Sequence, residues 1–129
     1  DGSTPLILAG RAGHSSVVEF LISKKASSLR QDNLGGTILH HAIEKGHICV
    51  LETMLALGID VYAAIEIADN AGRTPLFEAV ENLNDQDEQI TTRLHLLTII
   101  LKNKALNGFG ANPNVIDYNG HTPVFIAAR

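Results

Sequence analysis

Apolar residues recur along the chain in a fixed rhythm: Val17, Val18, Leu21 and Ile22, then Val50, Leu51, Met54 and Leu55, then Leu96, Leu97, Ile100 and Leu101. Spacing of i, i+1, i+4, i+5 lays four side chains along one stripe of an α-helix. Ahead of each stripe stands a shorter apolar pattern opened by threonine: Thr4 to Ala9, Thr37 to Ala42 and Thr74 to Ala79. Gly13-His14 and Gly46-His47 separate the two patterns, and glycine ends one helix before the next begins. The pattern predicts pairs of short antiparallel helices. Leu6, Ala9, Leu39, Ala42, Leu76 and Ala79 are the expected core of the first helices. Leu21 is the expected buried leucine of a second helix, and its truncation to alanine would cost about 2–5 kcal/mol.

The threonines belong to a phrase that returns four times: Gly2-Ser3-Thr4-Pro5-Leu6, Gly35-Gly36-Thr37-Ile38-Leu39, Gly72-Arg73-Thr74-Pro75-Leu76 and Gly120-His121-Thr122-Pro123-Val124. Glycine takes a backbone conformation closed to most residues, threonine caps the helix, and proline fills its first turn. Asp32, Asp69 and Asp117 each stand five positions before a threonine, which predicts a tight hairpin between short extended segments. The threonines are 33, 37 and 48 positions apart. The second interval places extra residues at Ala64-Ile65-Glu66-Ile67, read as a loop. The third places an insertion at about residues 82–93 between the helices of the third repeat, and a smaller one near 104–109.

Hairpin, Thr-Pro-Leu-x-x-Ala helix, Gly-His, apolar second helix and a Gly-Ala-type turn such as Gly110-Ala111-Asn112-Pro113 resemble the ankyrin repeat family over essentially the whole chain. The resemblance implies an all-α solenoid of about 3.5 to 4 helix-turn-helix units joined by β-hairpin loops. Residues 1–31, 32–68 and 69–116 form three repeats and residues 117–129 an incomplete fourth. Neighbouring units of such a stack bury each other's faces. Val124, Phe125 and Ala127 would therefore be covered by further repeats or a cap in a longer protein.

The resemblance also implies a function: binding of a protein or peptide partner on a concave face made of hairpin tips and the exposed sides of first helices. Here the tips carry Asn33, Leu34, Gly36, Asn70, Ala71, Arg73, Tyr118, Asn119 and His121. The first helices add Arg11, His41, Glu44, Lys45, Glu78 and Glu81. Tyr118 and Arg73 lead as anchors because tyrosine and arginine are enriched at interface hot spots. Leu34 joins them as an apolar tip. A regulatory or targeting arm of a larger enzyme or channel, or a self-associating scaffold, is the alternative reading.

Composition narrows the remaining chemistry. The net charge is −4 and no basic run stands out, against nucleic-acid binding, which rests on lysine and arginine neutralising phosphates. Nine acidic residues lie between Glu52 and Glu88, with Arg73 the only Lys or Arg among them. That stretch reads first as a solvated acidic loop and second as a face for a basic partner. The single cysteine, Cys49, allows no internal disulfide, suits an intracellular, cytoplasmic setting, and is expected to be a small buried hydrophobe. No apolar run reaches the roughly 20 residues of a membrane span.

Neither enzyme nor metal chemistry is expected, and no cofactor. His14-Ser15-Ser16 lacks a nucleophile-elbow setting, and Ser15 or Ser16 is better read as a helix cap. His14 and His47 repeat in register, which points to scaffold bonding to neighbouring backbone. Adjacent His40 and His41 diverge by about 100° on a helix and are poor co-ligands, with His40 read as a packed, hydrogen-bonded histidine. Asp85-Gln86-Asp87-Glu88 lacks the glycine and spacing of a calcium loop.

Overall fold

A computed structural model describes residues 1–59, 61–81, 90–107 and 111–129. Helices α1 (Pro5–Arg11) and α2 (Ser15–Ser23) form the first pair, α3 (Ile38–Glu44) and α4 (Ile48–Ala56) the second. A short α5 (Val61–Ile65) follows, then α6 (Pro75–Glu81) and α7 (Ile90–Asn107) as the third pair, and α8 (Pro123–Ala127) opens the fourth. First helices pack in a row, α1 on α3, α3 on α6 and α6 on α8, while α2 packs on α1 and α4. None of the described helices is long and apolar enough to cross a membrane.

The repeated phrase sets the helix starts. Thr4 and Thr122 Oγ1 accept from the N–H of Ile7 and Phe125, each at 3.2 Å, and Pro5 and Pro123 fill the first turn behind them. In the second repeat His40 takes part: its Nδ1 accepts from the Thr37 N–H at 3.1 Å, and its Nε2 donates to the Arg73 carbonyl of the next repeat at 3.0 Å. His40 is buried, and burial pushes its pKa down, more than the Arg73 carbonyl restores. The expectation of a packed, hydrogen-bonded histidine holds.

Gly10, on α1, shows how closely first helices approach. A Cβ there would stand 2.3 Å from Ile38 Cγ1, so the second repeat seats an isoleucine where the first offers only hydrogen. The six residues expected in the core of the first helices are all buried. The second helices differ among themselves. Val50, Leu51 and Met54 of α4 are fully enclosed, whereas on α2 only Val18 is buried and Leu21 is half-buried. The expectation for Leu21 is thereby corrected: it packs at the edge of the core and is not enclosed within it.

Other local expectations shift for equally physical reasons. The 64–67 segment is a loop only in its second half, since Ala64 and Ile65 close α5 and are buried in the common core with Val61, while Glu66 and Ile67 follow the helix. Ser15 does not cap α2; His14 holds the cap position without a side-chain bond, leaving Ser15 in the first turn. Cys49 is exposed, with its Sγ 3.6 Å from the Gly13 carbonyl, because it stands on the stripe of α4 turned away from the core. Residues 82–89 of the expected insertion, and 108–109 of the smaller one, lie outside the described residues, while 90–93 and 104–107 belong to α7.

No strand occurs among the described residues, so the expected hairpins are tight loops instead. Each is closed by two backbone bonds: the N–H of Asp32, Asp69 or Asp117 donates to the carbonyl of Gly36, Arg73 or His121 at 2.9 Å, and the N–H of Gly35, Gly72 or Gly120 donates back to the aspartate carbonyl at 3.0 Å. Each loop then bonds its predecessor rather than extending its own ladder: Asn33 N–H to Asp1 O, Asn70 N–H to Leu34 O and Tyr118 N–H to Ala71 O, all at 3.0 Å.

Candidate functional site

The loop row and the exposed sides of α1, α3, α6 and α8 make one continuous face, held from inside by aspartates. Asp32 Oδ1 accepts from the N–H groups of Leu34 (3.0 Å) and Gly36 (2.9 Å). Asp69 does the same for Ala71 and Arg73, and Asp117 for Asn119 and His121. With backbone donors fixed to carboxylates, the residues between them are presented outward. Leu34 is 74 % and Tyr118 79 % exposed. Asn33, Asn70, Ala71 and Asn119 are also exposed, whereas Gly36 is buried.

Arg73 and His121 occupy the same register as Gly36 but are engaged. The Arg73 guanidinium lies 2.9 Å from Glu81 and 3.9 Å from Glu78, over the Phe77 ring, with only 18 % of its side chain exposed. His121 stacks on Phe125 with ring centroids 4.6 Å apart and stands 3.5 Å from Asp117. Arg73 is thus no freely projecting anchor. Its removal would take a cation from Glu78 and Glu81, so a change there would alter stability as well as the surface.

On the first-helix side, Arg11 reaches Asp1 at 3.2 Å, Ser3 Oγ at 3.0 Å and Asp32 at 3.5 Å. His41 donates through Nε2 to Asp32 at 2.7 Å, and its other nitrogen stands 3.7 Å from Glu44, which also pairs with Lys45 at 2.8 Å. Burial alone would raise the Asp32 pKa. The His41 bond and the Gly36 and Leu34 amides outweigh it and hold the carboxyl below its usual value. Glu78, one repeat along from His41, behaves oppositely. Burial pushes its pKa up to about 7, with Arg73 pulling down and Glu81, Glu44 and Asp69 pushing up.

Counting four residues on from each threonine gives Leu8, His41, Glu78 and Ile126, so Leu8 shares this face. It is 49 % exposed and was missed because it reads as one more leucine of an apolar helix. Among the described residues, no three His, Cys, Asp or Glu side chains gather as a metal ion would require. His47 Nε2 bonds the Arg11 carbonyl at 3.2 Å, in keeping with its scaffold reading.

A sequence model described as ankyrin repeats, in three copies, matches residues 1–65. The chain belongs to the ankyrin repeat family. It is 30 % identical over 128 residues to human BCL-6 corepressor-like protein 1, covering 98 % of this chain and 6 % of that protein. It is 34 % identical over 95 residues to mouse ankyrin repeat and SAM domain-containing protein 6, covering 73 % of this chain and 10 % of that one. With mouse NF-kappa-B inhibitor delta it shares 39 % over 83 residues, 64 % of this chain and 25 % of the inhibitor. The ankyrin stack therefore spans a quarter or less of the length of these relatives. Ankyrin repeats are in general protein-protein interaction modules, and the loop-and-helix face described above is one surface that packing leaves exposed, as it does Val17 and Phe20 on α2.

Proposed function

We propose that this stack binds a protein or peptide partner along its loop tips and the exposed sides of its first helices, the concave face of the family, and performs no catalysis. The observation that carries the reading is the pair Leu34 and Tyr118, large side chains held out in water on loops whose backbone is already hydrogen-bonded. Ordering such residues on binding costs little, because the loop entropy is spent in folding. A tyrosine so placed is a favoured hot spot. Arg11, Asn33, His41, Glu44, Lys45, Asn70, Arg73, Glu78, Glu81, Asn119 and His121 form the surrounding polar surface. Two relatives carry names, a corepressor and an inhibitor, that speak of action through other proteins.

An affinity pull-down from cell extract tests this, comparing the wild type with the double variant Leu34→Ala/Tyr118→Ala, checked for unchanged circular dichroism. Partners retained by the wild type and lost by the variant are expected. Retention of the same proteins by both would move binding off the loop tips. A second reading, that the stack is the targeting or regulatory arm of a longer protein, is favoured by the small share of each relative that it matches. We place it inside the cell, where the exposed thiol of Cys49 stays reduced.

A further inference from the structure

The loop that joins the first repeat to the second carries positive charge that packing does not use. Arg11, Lys45 and Arg73 are each held by a carboxylate. Lys24, Lys25 and Arg30 are all exposed and make no ion pair with the described residues; Lys24 only overhangs the Phe20 ring, at 5.5 Å from its centroid. Two hydroxyls stand among these cations, in the run Lys24-Lys25-Ala26-Ser27-Ser28-Leu29-Arg30. We propose that Ser27 is a phosphorylation site for a protein kinase that selects cations on the amino-terminal side of its acceptor. The inference uses the placement inside the cell and is independent of the partner-binding reading.

A kinase needs its acceptor on chain that lifts from the fold, and exposed segments with few hydrogen bonds do so at least cost. From Ser27 to Gln31 the only backbone N–H with a hydrogen bond to a described residue is that of Leu29, and its acceptor is Ser27 Oγ at 3.3 Å. The span is fastened at its ends. There the Ala26 N–H donates to the Leu21 carbonyl at 3.1 Å, and the Gln31 side-chain amide donates to the Gly35 and Ala68 carbonyls at 2.7 and 3.0 Å. Other hydroxyls serve the frame: Ser3 Oγ accepts from Arg11, Ser23, Thr53 and Thr98 donate to helix carbonyls, and Thr4 and Thr122 cap helices.

Ser27 also occupies a register in which the other repeats place an acceptor. The left-handed φ of Lys25 (68°) and Gly58 (64°) aligns their two turns and sets Ser27 over Asp60, while Gly110-Ala111-Asn112 sets it over Asn112. Asn112 Oδ1 accepts from the Asn114 N–H at 3.0 Å, the same bond two residues on that Ser27 makes with Leu29. A phosphate carries three strong acceptor oxygens and close to two negative charges, so phosphoserine keeps this bond and gains Lys24, Lys25 and Arg30 as counter-charges. Asn112 is exposed although a repeat is stacked before it, so the register stays open to an enzyme within a stack.

In the transfer, Ser27 Oγ attacks the γ-phosphorus of magnesium-bound ATP. The Oγ–P bond forms as the bond to the bridging oxygen of ADP breaks, and the hydroxyl proton passes to a carboxylate of the kinase. Lys24 and Lys25 stand three and two residues before the acceptor, where an acidic substrate groove meets them.

The test incubates the whole chain with MgATP and a purified kinase selective for basic residues two and three positions before serine, and maps the phosphate by tandem mass spectrometry. We expect one phosphate, on Ser27, and a modified chain that melts no lower than the unmodified one. Ser27→Ala, with unchanged circular dichroism, should stay unmodified. Lys24→Gln/Lys25→Gln should be modified several-fold more slowly, with Ser27 still the acceptor. A kinase selective for acidic residues after its acceptor should leave Ser27 untouched. Phosphate on Ser28 or elsewhere, no phosphate on the folded chain, an unchanged rate with both lysines replaced, equal action by both kinases, or a lowered melting temperature would each overturn the inference.

Discussion

Two junctions along one face use the same backbone frame and reach opposite electrostatic states. Where the first repeat meets the second, Arg11 and His41 lie among Asp1, Asp32 and Glu44, and the buried Asp32 carboxyl is held below its ordinary pKa. Where the second meets the third, Glu44, Asp69, Glu78 and Glu81 crowd around Arg73, and the Glu78 carboxyl is pushed up to about 7. The register is identical: His41 and Glu78 each stand four residues after a threonine, Arg11, Glu44 and Glu81 each seven. Packing fixes where these side chains stand and leaves their charge free to differ. A repeat protein can therefore lower the pKa of a buried carboxyl at one junction and raise it at the next without changing its frame.

The comparison breaks most severely by removing the carboxylate that organises the first junction. Asp32→Ala leaves the Leu34 and Gly36 amides, His41 and Arg11 without their shared acceptor, and should cost about 3 kcal/mol in urea unfolding. Loss below about 1 kcal/mol would show that solvent replaces Asp32 easily. Because the folded pKa of Asp32 is depressed, its stabilisation is present above about pH 4 and disappears as pH falls through the lower folded value.

The second junction has the opposite slope. A raised carboxyl pKa contributes stability below about 4.5 that is lost as pH rises towards 7. The full shift corresponds to about 3 kcal/mol. Part of this is offset when Arg73 loses a partner, so Glu78→Gln should stabilise the chain by about 1–2 kcal/mol at pH 8 and by almost nothing at pH 4.5. Thermal unfolding at both values checks it, and a destabilised variant at pH 8 would show that the Arg73 contact outweighs burial. Arg73→Ala should do the reverse, destabilising more at pH 8 than at pH 5.

Smaller effects separate frame from surface. Lys25 adopts a φ of 68°, in the register where Gly58 ends the next second helix with a φ of 64°. Lys25→Gly should add up to about 1 kcal/mol without touching either junction, measurable as a parallel shift in urea midpoint. Smallest of all, Leu34→Ala and Tyr118→Ala should each change stability by under about 0.5 kcal/mol while weakening partner capture. A larger loss would place these side chains in the frame; Tyr118, whose ring rests against Gly72, is the more exposed to that result.

Much of the frame was legible in the chain itself. Thr4, Thr37, Thr74 and Thr122 mark helix starts, Asp32, Asp69 and Asp117 mark loops, and the alanines at 9, 42 and 79 mark where first helices touch, because each feature depends on residues a few positions apart. Residues 61–65 escaped that reading, since a five-residue helix carries too little periodicity to be told from a loop. Cys49 and Leu21 were misplaced because a stripe of apolar residues says which side of a helix is inward and not how many neighbours cover it.

The candidate face divides along the same line. Leu34 and Tyr118 could be read as outward from the loop chemistry alone, because the aspartate that precedes each binds the local backbone. The pairing of Arg73 with Glu78 and Glu81, and the meeting of Glu44 with Glu78 across one cleft, could not. Local sequence determined the helices, the loops and their register, since hydrogen bonds within a few residues fix them. Only tertiary packing decided which charges are buried together, because that depends on the distance between side chains brought side by side from separate repeats.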